Sequence, residues 1–412
     1  MPGGQAHIPC GRVLGCSPVC ADDDFRACIA DRIPRSGLYR PLVRDGLIED
    51  DVSDEETNPA NGPRRPDFWG SAKRTRLVDV ARAARVHAST VSRVLSHDRN
   101  GRVGAETAER IRAVAAELGY VPNVSAAGLK TRASRLIGVI VHDIADPVYP
   151  RILNGIEGRL ATAGYMAIVG NTGFDVEAET DMFERMSARL VDGVILGTTR
   201  LRDPVVRRAD ELGVPLVSVL RRSEDPVCAA VVDDCRVGMH ALAQAVASAG
   251  HRDIGVIAAP QHLSSGKERL ESLLEGLAAH GLHVAPDRMV FVPRMTSQEG
   301  AAATAQLLNR RNNPPSIIMA VNDRVALGAL RTLRQAGLRC PQDVSLTGYN
   351  ETHPLDLIDP PLASVAIDLE GIGAMAADRL LARIETPDLP RKVERILPSL
   401  SLRASLGTPT AP

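Results

Sequence analysis

The chain has 412 residues, with 49 Lys+Arg against 50 Asp+Glu and a formal net charge of −1; that length implies two to three domains. A hydrophobic fraction of 44% with only 3% aromatics implies a core of Ala, Val, Leu and Ile, and the longest uncharged apolar runs, such as Leu136–Val141, are too short for a membrane span. The start lacks a basic segment followed by an apolar run, so no secretory leader is expected, and an odd count of seven Cys points to free thiols in a reducing cytoplasm.

The small net charge hides an asymmetry. Residues 1–70 carry 8 basic and 12 acidic side chains, whereas residues 71–135 carry 13 basic and 5 acidic, a net of +8. A compact basic block between acidic ones suits an anionic polymer. A merely solvated basic face is the competing reading.

In chain order, residues 1–72 read as a disordered extension. They are rich in Pro, Gly and Asp, and neither a period-2 nor a period-3.6 apolar pattern persists. Their four Cys, at positions 10, 16, 20 and 28, match no standard zinc spacing. Residues 73–121 read as three short helices. Leu77, Val80, Ala81 and Ala84 form the inner face of the first. After the break Arg85-Val86-His87-Ala88, the second carries Val91, Val94 and Leu95 on one side and Ser89, Ser92 and Arg93 on the other. The third starts near Ala105, with Ile111, Val114, Ala115 and Leu118 inward and Gly119 closing it. Residues 122–134 form a linker of marginal helix tendency, opposed by Gly128.

From 135 to 408 the pattern alternates between strand and helix. Leu136–Val141, Val191–Leu196, Val214–Val219, Ile254–Ala258, Ser316–Val321 and Val344–Gly348 are short apolar runs suited to strands buried on both faces. Helical stretches between them imply parallel sheets. Arg135-Leu-Ile-Gly-Val-Ile-Val is echoed by Arg252-Asp-Ile-Gly-Val-Ile-Ala. The echo predicts two similar α/β lobes with a ligand cleft between them. The expected N-lobe is about 135–232 with 367–395, and the C-lobe about 233–366 with 396–408.

Two short helices around a tight turn, the second exposing small polar residues and an Arg, describe a helix-turn-helix. A slim, polar N-terminal end fits the major groove. Ala88 and Ser89 are slim, Ser92 and Arg93 supply donors, and Arg can bridge guanine O6 and N7. The segment Leu77-Val-Asp-Val-Ala-Arg-Ala-Ala-Arg-Val-His-Ala-Ser-Thr-Val-Ser-Arg-Val-Leu95 resembles the headpiece of the lac repressor/purine repressor (LacI/GalR) family of bacterial transcription regulators. The resemblance extends over about residues 73–408. It implies a homodimer, or a dimer of dimers, on a pseudo-palindromic DNA operator. It also implies a core similar to the periplasmic sugar-binding fold, with a small-molecule effector between the lobes. By the same resemblance Ala88, Ser89 and Arg93 read base edges, and Thr90 and Ser92 are counted with them. Asn123, Ala126, Leu129 and Lys130 match a hinge helix that enters the minor groove, with Leu129 as the apolar wedge; a wedge there unstacks base pairs and bends the duplex. Arg85 stands where the family usually has a turn Gly, and His87 where Ser or Thr usually caps the second helix.

For the effector, the resemblance points to Asp146 and Tyr149 in the loop after the first core strand, with Tyr149 placed to stack on a ring. It also points to Arg269, whose fork suits a carboxylate, phosphate or paired hydroxyls, and to Asn322 and Asp323 at a strand end. Asn350 stands where relatives mostly carry Asp, Met295 where an aromatic often stacks, and Leu220 where Asp is frequent. These replacements argue mildly against a neutral hexose and leave room for a sugar acid or sugar phosphate. Pairing of Arg269 and Asp323 with neighbours is the open alternative. No nucleophile elbow, phosphate loop or zinc-helix motif occurs, and no cofactor is expected. Gly371-Ile-Gly-Ala-Met-Ala376 imitates a dinucleotide fingerprint but lies in a helical pattern, Leu369–Ile384. The expectation is a cytoplasmic, non-enzymatic, effector-controlled regulator. Repression is favoured over activation because a clamped, bent promoter blocks polymerase. A solute-binding protein is the alternative.

Overall fold

The structure, a computed structural model, describes residues 75–95, 103–120, 133–188, 191–310 and 313–409. The expected extension at 1–72 and the hinge residues Asn123, Ala126, Leu129 and Lys130 lie outside the described residues.

The first described unit is three helices, α1 (Leu77–Ala83), α2 (Ala88–Leu95) and α3 (Ala105–Glu117). Their core is small: Val80, Ala81, Ala84, Val91, Ile111 and Ala115 are buried, with Leu77, Val94, Leu95 and Val114 packed around them. The expected inner stripes hold, except at Leu118, which is 38% exposed. Leu118 is the C-cap of α3, and its carbonyl accepts from Thr75 Oγ1 at 2.8 Å. Gly119 follows at φ +59°, its amide donating to Ala116 O and that of Tyr120 to Ala115 O, the paired closure that a left-handed residue permits. Arg85, at φ +52°, turns the chain between α1 and α2.

The remainder builds two six-stranded sheets. The first has the order β11-β5-β4-β3-β1-β2, from β1 (Leu136–Val141), β2 (Met166–Asn171), β3 (Gly193–Leu196), β4 (Leu216–Val219), β5 (Ala229–Asp233) and β11 (Val393–Ile396). All its pairings are parallel. The second runs β12-β10-β9-β8-β6-β7, from β6 (Ile254–Ala258), β7 (Met289–Phe291), β8 (Ile317–Ala320), β9 (Ser345–Asn350), β10 (Ala363–Ala366) and β12 (Ser399–Ser401). Only its edge strand β12 is antiparallel. The sequence echo has a structural counterpart: β1 lies between β2 and β3 as β6 lies between β7 and β8. The chain changes sheets after β5, β10 and β11, so three connections join the lobes.

The six apolar runs all contain strands, four of them starting later than expected, at Gly193, Leu216, Ile317 and Ser345. The other six strands were not expected. β2 and β11 alternate in exposure along the sheet edge, and β7 and β12 are three residues each. A one-sided or very short strand lacks the continuous apolar run of a central one. Eight further helices cover the sheets: α4 (Val148–Thr162), α5 (Val176–Ser187), α6 (Pro204–Glu211), α7 (Cys235–Ser248), α8 (Ser264–Ala279), α9 (Ser297–Asn309), α10 (Asp323–Gln335) and α11 (Leu369–Glu385). The imitation fingerprint lies within α11. Its Gly373 meets α4 so closely that a Cβ would stand 2.1 Å from Ile152 O, and Gly155 of α4 is equally tight against Glu370 O. These glycines serve helix packing.

Candidate functional site

Two surfaces can carry function. On α2, Val91 is fully buried while Ser89 and Arg93, one turn apart, share the exposed face. Ala88, Thr90 and Ser92 are half-buried beside them. His87 caps the helix after all: its Nδ1 accepts from the Ser89 amide at 3.3 Å and pairs with Ser89 Oγ at 2.8 Å. The ring nitrogen takes the place of the missing Ser or Thr oxygen and also orients Ser89.

The second surface is the cleft between the two sheets. Its walls are segments that follow the carboxyl ends of strands, where open parallel sheets place ligands. On the N-lobe side these are His142 after β1, Phe174 after β2, and Leu220 and Arg221 after β4; on the C-lobe side they include Met295 after β7, Asn322 after β8 and Asn350 closing β9. An inner chamber of about 40 Å³ opens to an outer one of about 270 Å³, and His142, Phe174, Arg221 and Met295 border both. Phe174 (φ +70°), Leu220 (φ +62°) and Asn350 (φ +104°) hold left-handed backbone here, and strain of this kind concentrates where a site needs it.

Arg269, from α8, is 5% exposed, borders the inner chamber and is held by several neighbours, although its Nε has no hydrogen-bond partner among the described residues. It donates to Val321 O at 3.2 Å and Asn350 Oδ1 at 3.0 Å, and lies 3.8 Å from Asp233 Oδ1. Its guanidinium carbon lies 3.8 Å from the centroid of the Tyr349 ring, and Tyr349 Oη donates to Asp233 Oδ2. Asp146 lines the inner chamber but is drawn toward α10: Arg324 donates to Asp143 and Asp146 at 3.0 Å each, tying the lobes together. Asn322 caps α10 through the Val325 amide at 2.9 Å.

Asp323 is a correction. Its carboxylate accepts from the Thr352 amide and hydroxyl and from Ser364 Oγ, at 2.9, 3.2 and 2.6 Å, and it does not border the cleft. Burial pushes its pKa up to about 7 against those hydrogen bonds. Tyr149 borders the inner chamber, but its ring is 2% exposed, which leaves no open face for stacking. Tyr149 Oη lies 3.0 Å from Gly197 O and 2.7 Å from His142 Nδ1. For both to be hydrogen bonds, the hydroxyl donates to the carbonyl and His142 Nδ1–H donates to the hydroxyl, leaving Nε2 an acceptor. Burial, then the Arg221, Arg324 and Arg200 charges, lowers the His142 pKa to about 2, so the ring is neutral.

Residues 76–123 match the family model described as bacterial regulatory proteins, lacI family, and residues 243–406 match the periplasmic binding protein-like domain. The transcriptional regulator CelR of Thermobifida fusca is 32% identical over 320 residues, covering 76% of this chain and 92% of that protein. The chain belongs to the LacI family. The ribose operon repressor of Haemophilus influenzae is 28% identical over 332 residues, 80% of this chain and 98% of that one. The lac repressor dimer bound to operator and the anti-inducer ONPF superposes with a TM-score of 0.71 at 27% identity, covering 81% and 99%. This LacI-family chain is a DNA-binding transcriptional regulator with two parallel-sheet lobes behind its helix-turn-helix. Among the described residues, no helix is long and apolar enough to cross a membrane.

Sequence reasoning missed His142, Phe174 and Arg221, which no motif marks. The available signal was position: Arg221 comes two residues after the run Val214–Val219, where a strand's carboxyl end delivers residues to the cleft.

Proposed function

We infer that this LacI-family regulator is a cytoplasmic repressor whose operator affinity is set by a small polyhydroxylated effector held between the lobes. The carrying observation is the paired architecture: a slim polar face on α2 above a packed three-helix core, and a strained cleft lined by strand ends. The operator-bound lac repressor supports the reading, since its overall fold is shared at a TM-score of 0.71. Two copies would set α2 into successive major grooves of a pseudo-palindrome, with Ala88, Ser89 and Arg93 at base edges and Leu129 of the 122–134 hinge in the minor groove. The effector acts only as far as it binds the operator-bound and free forms unequally, a coupling of about 1–3 kcal/mol in typical cases.

Footprinting on the DNA flanking its own gene tests the DNA half: a two-fold symmetric protected stretch is expected. Its affinity should fall with salt at a log–log slope of about −0.9 per phosphate contacted. Arg93→Ala should cost about 1–3 kcal/mol on the operator and less on random DNA. Equal loss on both would reduce Arg93 to a backbone contact, and no footprint at all would overturn the reading.

A further inference from the structure

One buried charge in the cleft has no direct partner among the described residues. Arg221 is 8% exposed, borders both chambers, and has no hydrogen-bond or ion-pair partner among the described residues. Its neighbour Arg222, by contrast, is bonded to Ser264 and Glu268. The other cleft charges are matched. Asp146 is held by Arg324, Glu179 by Arg200 at 3.0 Å, Arg269 faces Asp233 at 3.8 Å, and Arg294 faces Glu299 at 3.7 Å. The two carboxylates that border the cavity, Asp146 and Glu179, are therefore already occupied by arginines. Leu220, beside Arg221 in the chamber wall, is apolar and supplies no counter-charge.

An isolated buried guanidinium is costly unless something charged meets it. Burial, the leading influence, pulls the Arg221 pKa down; Tyr149 and Asp146 oppose it, and the Arg269 and Arg200 charges add to it. Arginine offers a planar fork of donors suited to carboxylate and phosphate oxygens. Next to it, His142 is neutral and presents Nε2 as an acceptor, which suits a ligand hydroxyl. Arg221 borders both chambers, together with His142, Phe174 and Met295.

Resting on the effector reading above, we propose that the cleft selects an anionic polyol, a sugar acid or sugar phosphate, whose carboxylate or phosphate is gripped by Arg221 while a hydroxyl donates to His142. Arg221 is the arginine that reads the ligand's charge, while Arg269, which also borders the inner chamber, already faces Asp233. A neutral sugar leaves the buried charge unmet.

The test uses the full-length protein, with Arg221→Gln and Arg221→Lys, in thermal-shift titrations at constant ionic strength. The probes are inorganic phosphate and the matched set glucose, gluconate and glucose 6-phosphate. Phosphate should raise the melting temperature of the wild type and of Arg221→Lys. Arg221→Gln should lose about tenfold or more in apparent affinity, as expected for a charge-assisted contact. Phosphate binding at the DNA-reading helices is common to all three proteins and cancels in the comparison. Gluconate against glucose 6-phosphate tells carboxylate from phosphate ester, and either one exceeding glucose supports the proposal. An equal response in Arg221→Gln and wild type, or glucose saturating at the same concentration as the anionic pair, would overturn it. Operator binding by the unliganded variants shows that they are folded. If the anions bind through Arg221 yet leave operator affinity unchanged, the effector reading fails while the anion site stands. If a neutral sugar alone releases operator, the reverse holds.

Discussion

The two walls of the cleft each bury an arginine, and they treat it in opposite ways. On the C-lobe wall, Arg269 is held by Val321 O, Asn350, Asp233 and the Tyr349 ring, with its Nε lacking a hydrogen bond among the described residues. On the N-lobe wall, Arg221 is as deeply buried and has no partner among the described residues. The first arrangement is a structural tie from α8 to the ends of β5, β8 and β9. The second keeps a charge in reserve. Burial alone therefore does not separate a framework arginine from a ligand-reading one; the surrounding acceptors do.

Removing Arg269 should have the largest effect. Arg269→Ala leaves Asp233 buried and uncompensated, a situation that typically costs about 3–5 kcal/mol. Urea denaturation of the unliganded protein reads it directly, and a loss below about 1 kcal/mol would erase the distinction between the two walls.

The walls also differ in how they answer pH. Asp323, behind the C-lobe wall, has a pKa raised from 3.8 to about 7, so the native state holds a proton that the unfolded chain has released. Its contribution is full below pH 3.8 and lost as pH rises to about 7. His142, on the N-lobe wall, is lowered from 6.5 to about 2, so its contribution is present above 6.5 and lost as pH falls. The slopes oppose each other between about pH 4 and 6.5. Asp323→Asn should leave the His142 slope uncovered, with the urea midpoint rising as pH climbs to 6.5. A midpoint profile unchanged from wild type would remove Asp323 as a titrating group.

Arg324 joins the walls, and Arg324→Ala leaves Asp143 and Asp146 facing each other without their shared cation. Bonds to charged groups are worth about 1.5–3 kcal/mol. Because this one spans the lobes, the loss should show in faster amide exchange at β1 and α10 on either side of the cleft. Exchange faster on one lobe alone would mean that the contact does not hold the lobes together.

How far the sequence reveals these roles depends on what each residue answers to. The three-helix headpiece is legible because its inner positions Val80, Ala81, Val91 and Ile111 recur at helical spacing within 32 residues, and the central strands are legible as unbroken apolar runs. The roles of Asp323 and Arg269 are not. Ser364 lies 41 residues from Asp323 and Asn350 lies 81 from Arg269, so their partners are set by the packing of β9 and β10. The family resemblance marks both as ligand-binding candidates, and only the fold shows that one faces away from the cleft and the other is already bonded. Arg221 carries no motif, and its significance lies in the acceptors it lacks, a property of the whole cleft.

The smallest predicted change concerns stability at Arg221 itself, and its sign is what matters. Taking a bonded arginine from a protein destabilises it, because acceptors are stranded. Taking Arg221 strands none among the described residues and relieves the desolvation of a buried charge. Arg221→Gln, measured by urea denaturation without any anion in the buffer, should therefore be neutral or more stable by up to about 1 kcal/mol. Saturating gluconate or glucose 6-phosphate should then reverse the order, because the ligand stabilises only the form that binds it. A variant less stable than wild type in the absence of ligand would mean that Arg221 is a framework residue like Arg269, and the two walls would no longer differ.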